Sequence, residues 1–244
     1  MSASPRLAVS PEDVAAARER LARTGRTRLP LLLGDQTSRT LWQALQNPDL
    51  PWKRAFDSPM QADICAAVFD ATSREDQAGF MQTIHDQAVD QFQYLFDRLP
   101  LLTAPGADRP LPDDLYQLMD WFNGPSFMAF ARQLTGNDRI SFADGQVTRY
   151  LPGHFLNRHS DENRHSGRLY AYVLNLSPDW RAEWGGLLQF MDGAGEITET
   201  FVPGFATLNV FAVPQMHAVS TVAAFAGGPR YSITGWWRAV PVVL

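Results

Sequence analysis

A chain of 244 residues with 45% hydrophobic and 19% charged residues has the composition of a globular protein with a sizeable core. Its net charge of −5 provides no overall basic field, which argues against binding to nucleic acid or to an anionic membrane. The single cysteine, Cys65, excludes an intrachain disulfide, and no apolar run is long enough for a signal core or a membrane span. We therefore predict a cytoplasmic protein with no nucleic-acid or membrane partner, and Cys65 as a small core residue.

The first half of the chain has the patterns of helices. Ser10 is a candidate N-cap residue, and the helix that follows is predicted to end at Gly25. The apolar residues 29–33 are predicted to form a buried strand or an entry into the core. A second helix is predicted over residues 37–45, and the Asn-Pro pair that follows is expected to end it.

The longest helix is predicted to run from near Ser73 to a point before Pro100, because apolar residues recur there at steps of three and four. Two shorter helices are predicted over residues 114–122 and 126–134, separated by a Gly-Pro pair. The aromatic side chains of these two segments are predicted to be core contacts: Trp121, Phe122, Phe127 and Phe130.

From about residue 140, short β-branched and aromatic runs recur at a spacing that is typical of a β-sandwich or barrel. Residues 192–195 (DGAG) are predicted to connect two of these strands as a hairpin. We predict one domain, 1–244, in which a mostly helical support region, 1–138, braces a β core, 139–244. The predicted strands are residues 146–151, 168–176, 186–191, 197–202, 206–213, 217–225 and 231–237.

The motif His159-x-Asp161, with His217 far downstream, has the composition of a facial triad that binds non-haem Fe(II). Alternate side chains of an extended strand share a face, so His159 and Asp161 are predicted to point toward one metal ion. An isolated H-x-D occurs by chance in many chains, so the motif alone is a weak signal. His165 and Glu162 compete as ligands, although a solvated loop is the simpler interpretation of His165.

Arg230 and Ser232 are two residues apart on one predicted strand, so they share a face and are candidates to bind a carboxylate. The alternative for the arginine is a surface salt bridge. Tyr150 is a candidate to donate a hydroxyl hydrogen bond to a cosubstrate, or else an interior side chain. Asn175 interrupts an apolar strand, so its buried amide needs partners, and a ligand is one candidate. His154 is a candidate for the mouth of the site.

The segment from residue 150 to residue 238 resembles the iron(II)/2-oxoglutarate-dependent dioxygenases of the prolyl 4-hydroxylase-like superfamily. The shared pattern is a tyrosine, a Pro-Gly turn, H-x-D, a Gly-Arg strand, a Gly-Gly strand, a distal histidine and an arginine strand that ends in Gly-Trp. Within the superfamily, the sequence is most similar to the bacterial relatives of eukaryotic ribosomal-protein prolyl hydroxylases. The resemblance implies a mainly β chain with bracing helices (α+β), whose core is a double-stranded β-helix, or jelly roll.

The resemblance also implies a role for individual positions. Asn175 falls where some relatives place a tyrosine that contacts the cosubstrate, and Trp236 falls near the iron. The implied iron ligands and catalytic residues are His159, Asp161 and His217, and the implied contacts of the cosubstrate 2-oxoglutarate are Arg230, Ser232, Tyr150 and Asn175.

The implied activity is hydroxylation of a prolyl residue in a protein, with oxidative decarboxylation of 2-oxoglutarate to succinate and CO2. Ascorbate is expected as a supporting reductant, and the chain as a monomer or homodimer. The alternatives are a hydroxylase of a free amino acid or other small metabolite and a non-catalytic jelly-roll binding module. A protein substrate requires a broad mouth flanked by loops, for which residues 152–168 and 177–184 are the candidates.

Overall fold

The computed structural model describes residues 5–58, 63–102, 110–162 and 167–241. The helices are α1 (Pro11–Thr24), α2 (Asp35–Ala44), α3 (Ala66–Asp70), α4 (Arg74–Asp90), α5 (Asp113–Phe122) and α6 (Pro125–Thr135), and Ala182–Trp184 forms a 3-10 turn. The strands are β1 (Arg26–Leu29), β2 (Lys53–Phe56), β3 (Ile64–Cys65), β4 (Tyr94–Pro100), β5 (Phe142–Ala143), β6 (Gln146–Tyr150), β7 (Phe155–Ser160), β8 (Arg168–Asn175), β9 (Leu188–Met191), β10 (Ile197–Phe201), β11 (Leu208–Ala212), β12 (Met216–Val219) and β13 (Arg230–Arg238).

The strands form one curled antiparallel sheet. Its order is β1-β11-β8-β13-β6-β4-β7-β12-β9-β10, while β2 joins β4, β3 joins β2, and β5 joins β13. Side chains from β8, β13, β6 and β4 line the same cavity as side chains from β7, β9 and β12, so the sheet closes around that cavity. This is the predicted double-stranded β-helix.

Helices cover the outer face of the layer formed by β1, β11, β8 and β13. Phe122 of α5 and Phe127 of α6 are fully buried in the same apolar core as Trp237 of β13. The neighbouring Trp236 points to the other face, into the cavity, because successive side chains of a strand alternate. The predicted bracing of the β core by helices is therefore confirmed. Within the described residues, no helix is both long and apolar enough to span a membrane.

The first helix begins and ends where the sequence predicts. The Ser10 side chain accepts a hydrogen bond from the Asp13 backbone N–H at 3.0 Å, which satisfies one of the free donors of the first turn. Gly25 ends the helix with a φ of 71°, a conformation that glycine adopts without a steric penalty. Local capping signals therefore fix both ends of α1.

The prediction of one helix from Ser73 to before Pro100 is wrong in its last part. Helix α4 ends at Asp90, and residues Tyr94–Pro100 form β4. Leu95 and Leu99, whose four-residue spacing suggested a helix, lie on one face of this strand. A step of four residues places side chains on the same face of either a helix or a strand, so the periodicity did not distinguish them.

Of four smaller expectations, two are confirmed and two are corrected. Strand β1 ends at Leu29, and Leu31 is exposed with a φ of 46°, so the following residues turn into the core, which is the second of the two predicted alternatives. Cys65 is exposed and not in the core, because β3 is a two-residue strand at the margin of the sheet. The predicted strand over residues 217–225 stops at Val219, and the hairpin over residues 192–195 joins β9 to β10 as predicted.

A buried ion cluster fixes β4 beside its neighbours. Asp97 is inaccessible to solvent and accepts hydrogen bonds from Arg54 at 2.9 Å and from Arg149 at 2.7 Å. Asp97→Ala leaves two guanidinium groups without this partner, so we expect the free energy of unfolding to fall by about 3–5 kcal/mol. Asp63→Ala, which removes a more exposed partner of Arg98, is expected to cost less than about 1 kcal/mol. Urea denaturation measures the free energy of unfolding of both variants. Equal losses in the two would contradict the special role of the buried Asp97.

Candidate metal and cosubstrate site

Pairing of β7 with β12 brings the two histidines together. His159 lies directly opposite His217 in this antiparallel pair, and Asp161 follows the end of β7. His159 Nε2 is 3.8 Å from Asp161 Oδ1, and His217 Nε2 is 3.6 Å from Asp161 Oδ2. One ligand atom from each residue lies within 4.8 Å of the others. The structure therefore places the three predicted ligands at one point.

Hydrogen bonds orient both imidazoles. Nδ1 of His159 is 2.9 Å from the carbonyl oxygen of Asn157, and Nδ1 of His217 is 2.9 Å from that of Gln215. Because a carbonyl oxygen only accepts, each Nδ1–H donates its hydrogen bond, and each Nε2 is turned toward Asp161, which is the arrangement of histidines that bind a metal. Burial, together with the nearby His159, lowers the pKa of His217 to about 4, so its imidazole is neutral at pH 7.

The donor set fits the metal that the sequence predicts. Two imidazoles and one carboxylate on one side of a cavity match the facial triad of non-haem Fe(II), which leaves positions open for other ligands. Structural zinc sites use four protein ligands, often cysteine, and no cysteine belongs to this cluster. His159, Asp161 and His217 therefore form a candidate iron site.

Arg230 is a buried cation in the same cavity. Its residue is only 2% exposed, and burial lowers the pKa of its guanidinium. Nη2 is 3.5 Å from Asn175 Oδ1, a weak contact, and Nε has no hydrogen-bond partner among the described residues. A buried guanidinium without a carboxylate is unfavourable, so the position calls for an anion. A cavity of about 360 Å³ is lined by Arg230 and by the three candidate metal ligands together. A dicarboxylate offers one carboxylate to a metal ion and the other to an arginine.

The other three predicted cosubstrate contacts surround Arg230 in different ways. Tyr150 lines the cavity, and the guanidinium of Arg230 lies 5.2 Å from the centre of its ring. Burial raises the pKa of the Tyr150 hydroxyl, which therefore stays protonated. Ser232 is buried with its Oγ 2.8 Å from Thr148 Oγ1, and Thr148 lines the cavity. Thr148 lies two residues before Tyr150 on β6, so the two side chains share a face of the strand. This alternation could have identified Thr148 as a cavity residue from the sequence.

Asn175 lies behind Arg230 and is not among the residues that line the cavity. Its amide donates to Thr207 Oγ1 at 3.1 Å, and its carbonyl oxygen faces Arg230. The side chain therefore makes only a weak contact with the arginine, while the contact with the cosubstrate that the resemblance implies stays a prediction.

One side of the cavity is a ladder of rings that we call the aromatic wall: Phe92, Tyr94, Phe96 and Tyr150. Successive ring centres are 5.7, 5.4 and 5.3 Å apart, and Phe92 is also 5.6 Å from the His159 ring. The sequence interpretation missed three of these rings as site residues, because it assigned their segment to a helix. Once β4 is recognised as a strand, its alternation places Tyr94 and Phe96 on the cavity side.

Donors without partners line another part of the cavity. Nε1 of Trp236 and Nε of Arg168 are buried and make no hydrogen bond to a described residue. The Arg168 guanidinium lies 3.6 Å from the centre of the Trp236 ring and donates to the Asp161 backbone oxygen at 3.3 Å. Buried donors normally have acceptors, so this part of the cavity suits a ligand with carbonyl or carboxylate oxygens.

The competing candidates do not join the cluster. Glu162 and His85 are exposed, and His165 lies outside the described residues. His154 is buried but does not line the cavity. Of the two candidate loops, 152–168 is only partly described, and 177–184 includes the turn Ala182–Trp184.

His154 gives the protein an expected sensitivity to acid. Burial lowers its pKa to about 4 from an ordinary value of 6.5, opposed by the nearby Asp97, and its Nδ1 has no described partner. Below pH 6.5 the unfolded chain gains a proton at His154 that the folded protein does not, so stability present above pH 6.5 is lost toward pH 4. The free energy of unfolding is expected to fall, through this histidine, by up to about 1.4 kcal/mol per pH unit in that range.

Urea denaturation between pH 7 and pH 4 measures this loss. His154→Gln is expected to remove this component of the pH dependence, whereas the matched His85→Gln, at an exposed histidine of α4, keeps it. An unchanged slope in His154→Gln would show that His154 does not titrate in this way.

Comparison with known proteins identifies the pattern. Residues 145–238, less than half of the chain, match the family model of the 2OG-Fe(II) oxygenase superfamily. No curated protein sequence matches the chain significantly.

Solved structures show the same fold. The chain is similar to a prolyl-4-hydroxylase of Pseudomonas putida, with a TM-score of 0.61 and 21% identity over 92% of this chain and 98% of that chain. It is also similar to an oxidoreductase of the 2OG-Fe(II) oxygenase family from Burkholderia pseudomallei, with a TM-score of 0.63 and 16% identity over 98% of this chain and 97% of that chain. A third similar structure is a prolyl hydroxylase of Trichoplax adhaerens in complex with a hypoxia inducible factor oxygen degradation domain peptide fragment. Its TM-score is 0.62, with 16% identity over 93% of this chain and 91% of that chain. At these identities the likeness establishes the fold, and the narrower resemblance to the relatives of ribosomal-protein prolyl hydroxylases stays a prediction.

Proposed function

We propose that this chain, whose residues 145–238 belong to the 2OG-Fe(II) oxygenase superfamily, is a 2-oxoglutarate-dependent hydroxylase that acts on a prolyl residue of a protein or peptide. The observation that carries the proposal is the combination, in one cavity, of the His-Asp-His cluster with a buried arginine that has no carboxylate partner among the described residues. A binding module has no need of both features.

Each residue of the site has a task that follows from its position. His159, Asp161 and His217 would hold Fe(II), and Arg230 would bind the far carboxylate of 2-oxoglutarate through charge-assisted hydrogen bonds. When bound, iron and 2-oxoglutarate supply the oxidation of an unactivated C–H bond by O2, with release of succinate and CO2. The aromatic wall gives one side of the cavity an apolar surface, and the protonated Tyr150 hydroxyl is available to donate a hydrogen bond to the cosubstrate.

The walls of the cavity support a prolyl substrate. Aromatic faces such as Tyr94 and Phe92 offer flat apolar surfaces against which a pyrrolidine ring can pack. The free donors of Arg168 and Trp236 suit the carbonyl oxygens of a peptide backbone. Two of the structurally similar proteins are prolyl hydroxylases, one of them in complex with a peptide, which favours the same class of substrate.

The test is turnover by anaerobically iron-loaded protein that is given 2-oxoglutarate, O2 and a library of synthetic peptides with one central proline. We expect succinate in step with the gain of one oxygen atom on proline, located by mass spectrometry. Oxygen gained by free amino acids or other metabolites of a cell extract, but by none of the peptides, would move the assignment to the small-metabolite alternative. Stoichiometric iron binding without succinate from any substrate would favour the non-catalytic module.

A further inference from the structure

A second concavity, the outer groove, lies on the opposite face of the strands that carry the histidines. Its volume is about 520 Å³, and it is bounded by the last turn of α4 and by the outer face of β7, β9 and β12. The Asn157 amide of β7 donates to the Ala88 carbonyl oxygen of α4 at 3.1 Å, so the helix end and the sheet form one connected surface. The outer groove therefore belongs to the same scaffold as the candidate iron site.

Phe92 connects the outer groove to the cavity. It lies between α4 and β4, lines both concavities, and is 43% exposed even though its ring contacts the rings of His159 and Tyr94. Leu156 and Val219 also border both. A large, partly exposed aromatic side chain beside a metal ligand has no evident role in folding, since it adds little to a buried core.

The chemistry of the outer groove is that of a surface for polypeptide backbone. The side-chain amides of Gln91 and Gln189 border the groove, and each can both donate and accept a hydrogen bond. Val89 adds an apolar contact, because it is 77% exposed. Asp90 and Arg158 contribute one charge of each sign, so the surface does not select for a charged partner.

We propose that the outer groove binds the part of a substrate polypeptide that flanks the oxidised residue, and that the substrate chain crosses from groove to cavity over Phe92. This inference rests on the proposed function and narrows its substrate class to extended polypeptide. A free amino acid would occupy the cavity alone and would leave the groove empty. A peptide gains contacts in both, and binding energy from such remote contacts raises kcat/KM for the longer substrate.

The experiment compares a proline-centred peptide, chosen from the library for turnover, with N-acetyl-L-prolinamide, which is too short to reach the groove. Both are assayed by oxygen gain on proline with the native protein and with Val89→Glu, which places a charge in the groove and leaves the cavity residues unchanged. Phe92→Ala provides a second variant, and its matched control is Phe225→Ala, a phenylalanine that is 71% exposed and borders neither concavity.

We expect Val89→Glu to lower kcat/KM for the peptide by about tenfold and to change that for the short probe by less than about twofold. Phe92→Ala is expected to lower the peptide value similarly, while Phe225→Ala matches the native protein. Equal losses on peptide and short probe in Val89→Glu, or no preference of the native protein for the peptide, would overturn the inference and leave the prolyl assignment standing. Oxygen gain on no proline-centred peptide of the library, and none on the short probe, would overturn the proposed function and this inference together.

Discussion

Arg230→Met is expected to raise the KM for 2-oxoglutarate by about 100-fold, because the far carboxylate loses its charge-assisted partner. The same change is expected to leave the ligand-free protein as stable as before, or more stable by up to about 2 kcal/mol. Arg230 is fully desolvated and has no carboxylate partner among the described residues, so an apolar side chain of similar length removes an unfavourable buried charge. A loss of cosubstrate affinity together with unchanged or improved stability is the pattern of a ligand-binding cation.

Thermal unfolding with and without 2-oxoglutarate measures both effects. Saturating cosubstrate should stabilise the native protein by about 2.7 kcal/mol at 100 times its Kd, and this increment should vanish in Arg230→Met. The matched control is Arg54→Met, because Arg54 is also buried but pairs with Asp97 and Asp70. That variant should be destabilised and should keep its response to 2-oxoglutarate. A strongly destabilised Arg230→Met that still responds to 2-oxoglutarate would mean that the arginine has a structural role only.

His217→Ala is expected to weaken Fe(II) binding by more than about 100-fold and to abolish succinate formation. Loss of a residue that only orients a metal ligand costs up to about 100-fold in metal affinity, and His217 is a candidate ligand itself. The variant leaves one imidazole and one carboxylate, which do not form the three-ligand face. The effect on folding should be smaller than that on iron, since the change removes a buried imidazole and introduces no new charge.

Anaerobic iron titration and succinate measurement test this prediction. His85→Ala is the matched control, because His85 is exposed on α4 and outside the cluster, so its iron affinity and turnover should equal those of the native protein. Retention of native iron affinity by His217→Ala would remove His217 from the metal site and with it the facial triad.

The sequence by itself determined the features that depend on local chemistry. Ser10 and Gly25 fixed α1, because capping is decided within a few residues. Most strands of the β core followed from β-branched and aromatic runs separated by turn residues. The spacing of His159 and Asp161 and the position of Arg230 two residues before Ser232 were also local patterns. His159, Asp161 and Arg230 line the cavity, while a contact of Ser232 with the cosubstrate stays a prediction.

Only the tertiary structure decided the features that depend on strands distant in sequence. The opposition of His159 and His217 requires the pairing of β7 with β12, and no local signal specifies it. The four-residue periodicity of the β4 segment suited a helix equally well, and its pairing with β2, β6 and β7 made it a strand. That pairing placed Tyr94 and Phe96 in the cavity wall. Asn175 lies behind Arg230 because its amide donates a hydrogen bond to Thr207, and only the folded chain brings Thr207 next to Asn175. Hydrogen bonds between strands connect residues far apart in the chain, so these positions follow from the closed sheet and from no single segment.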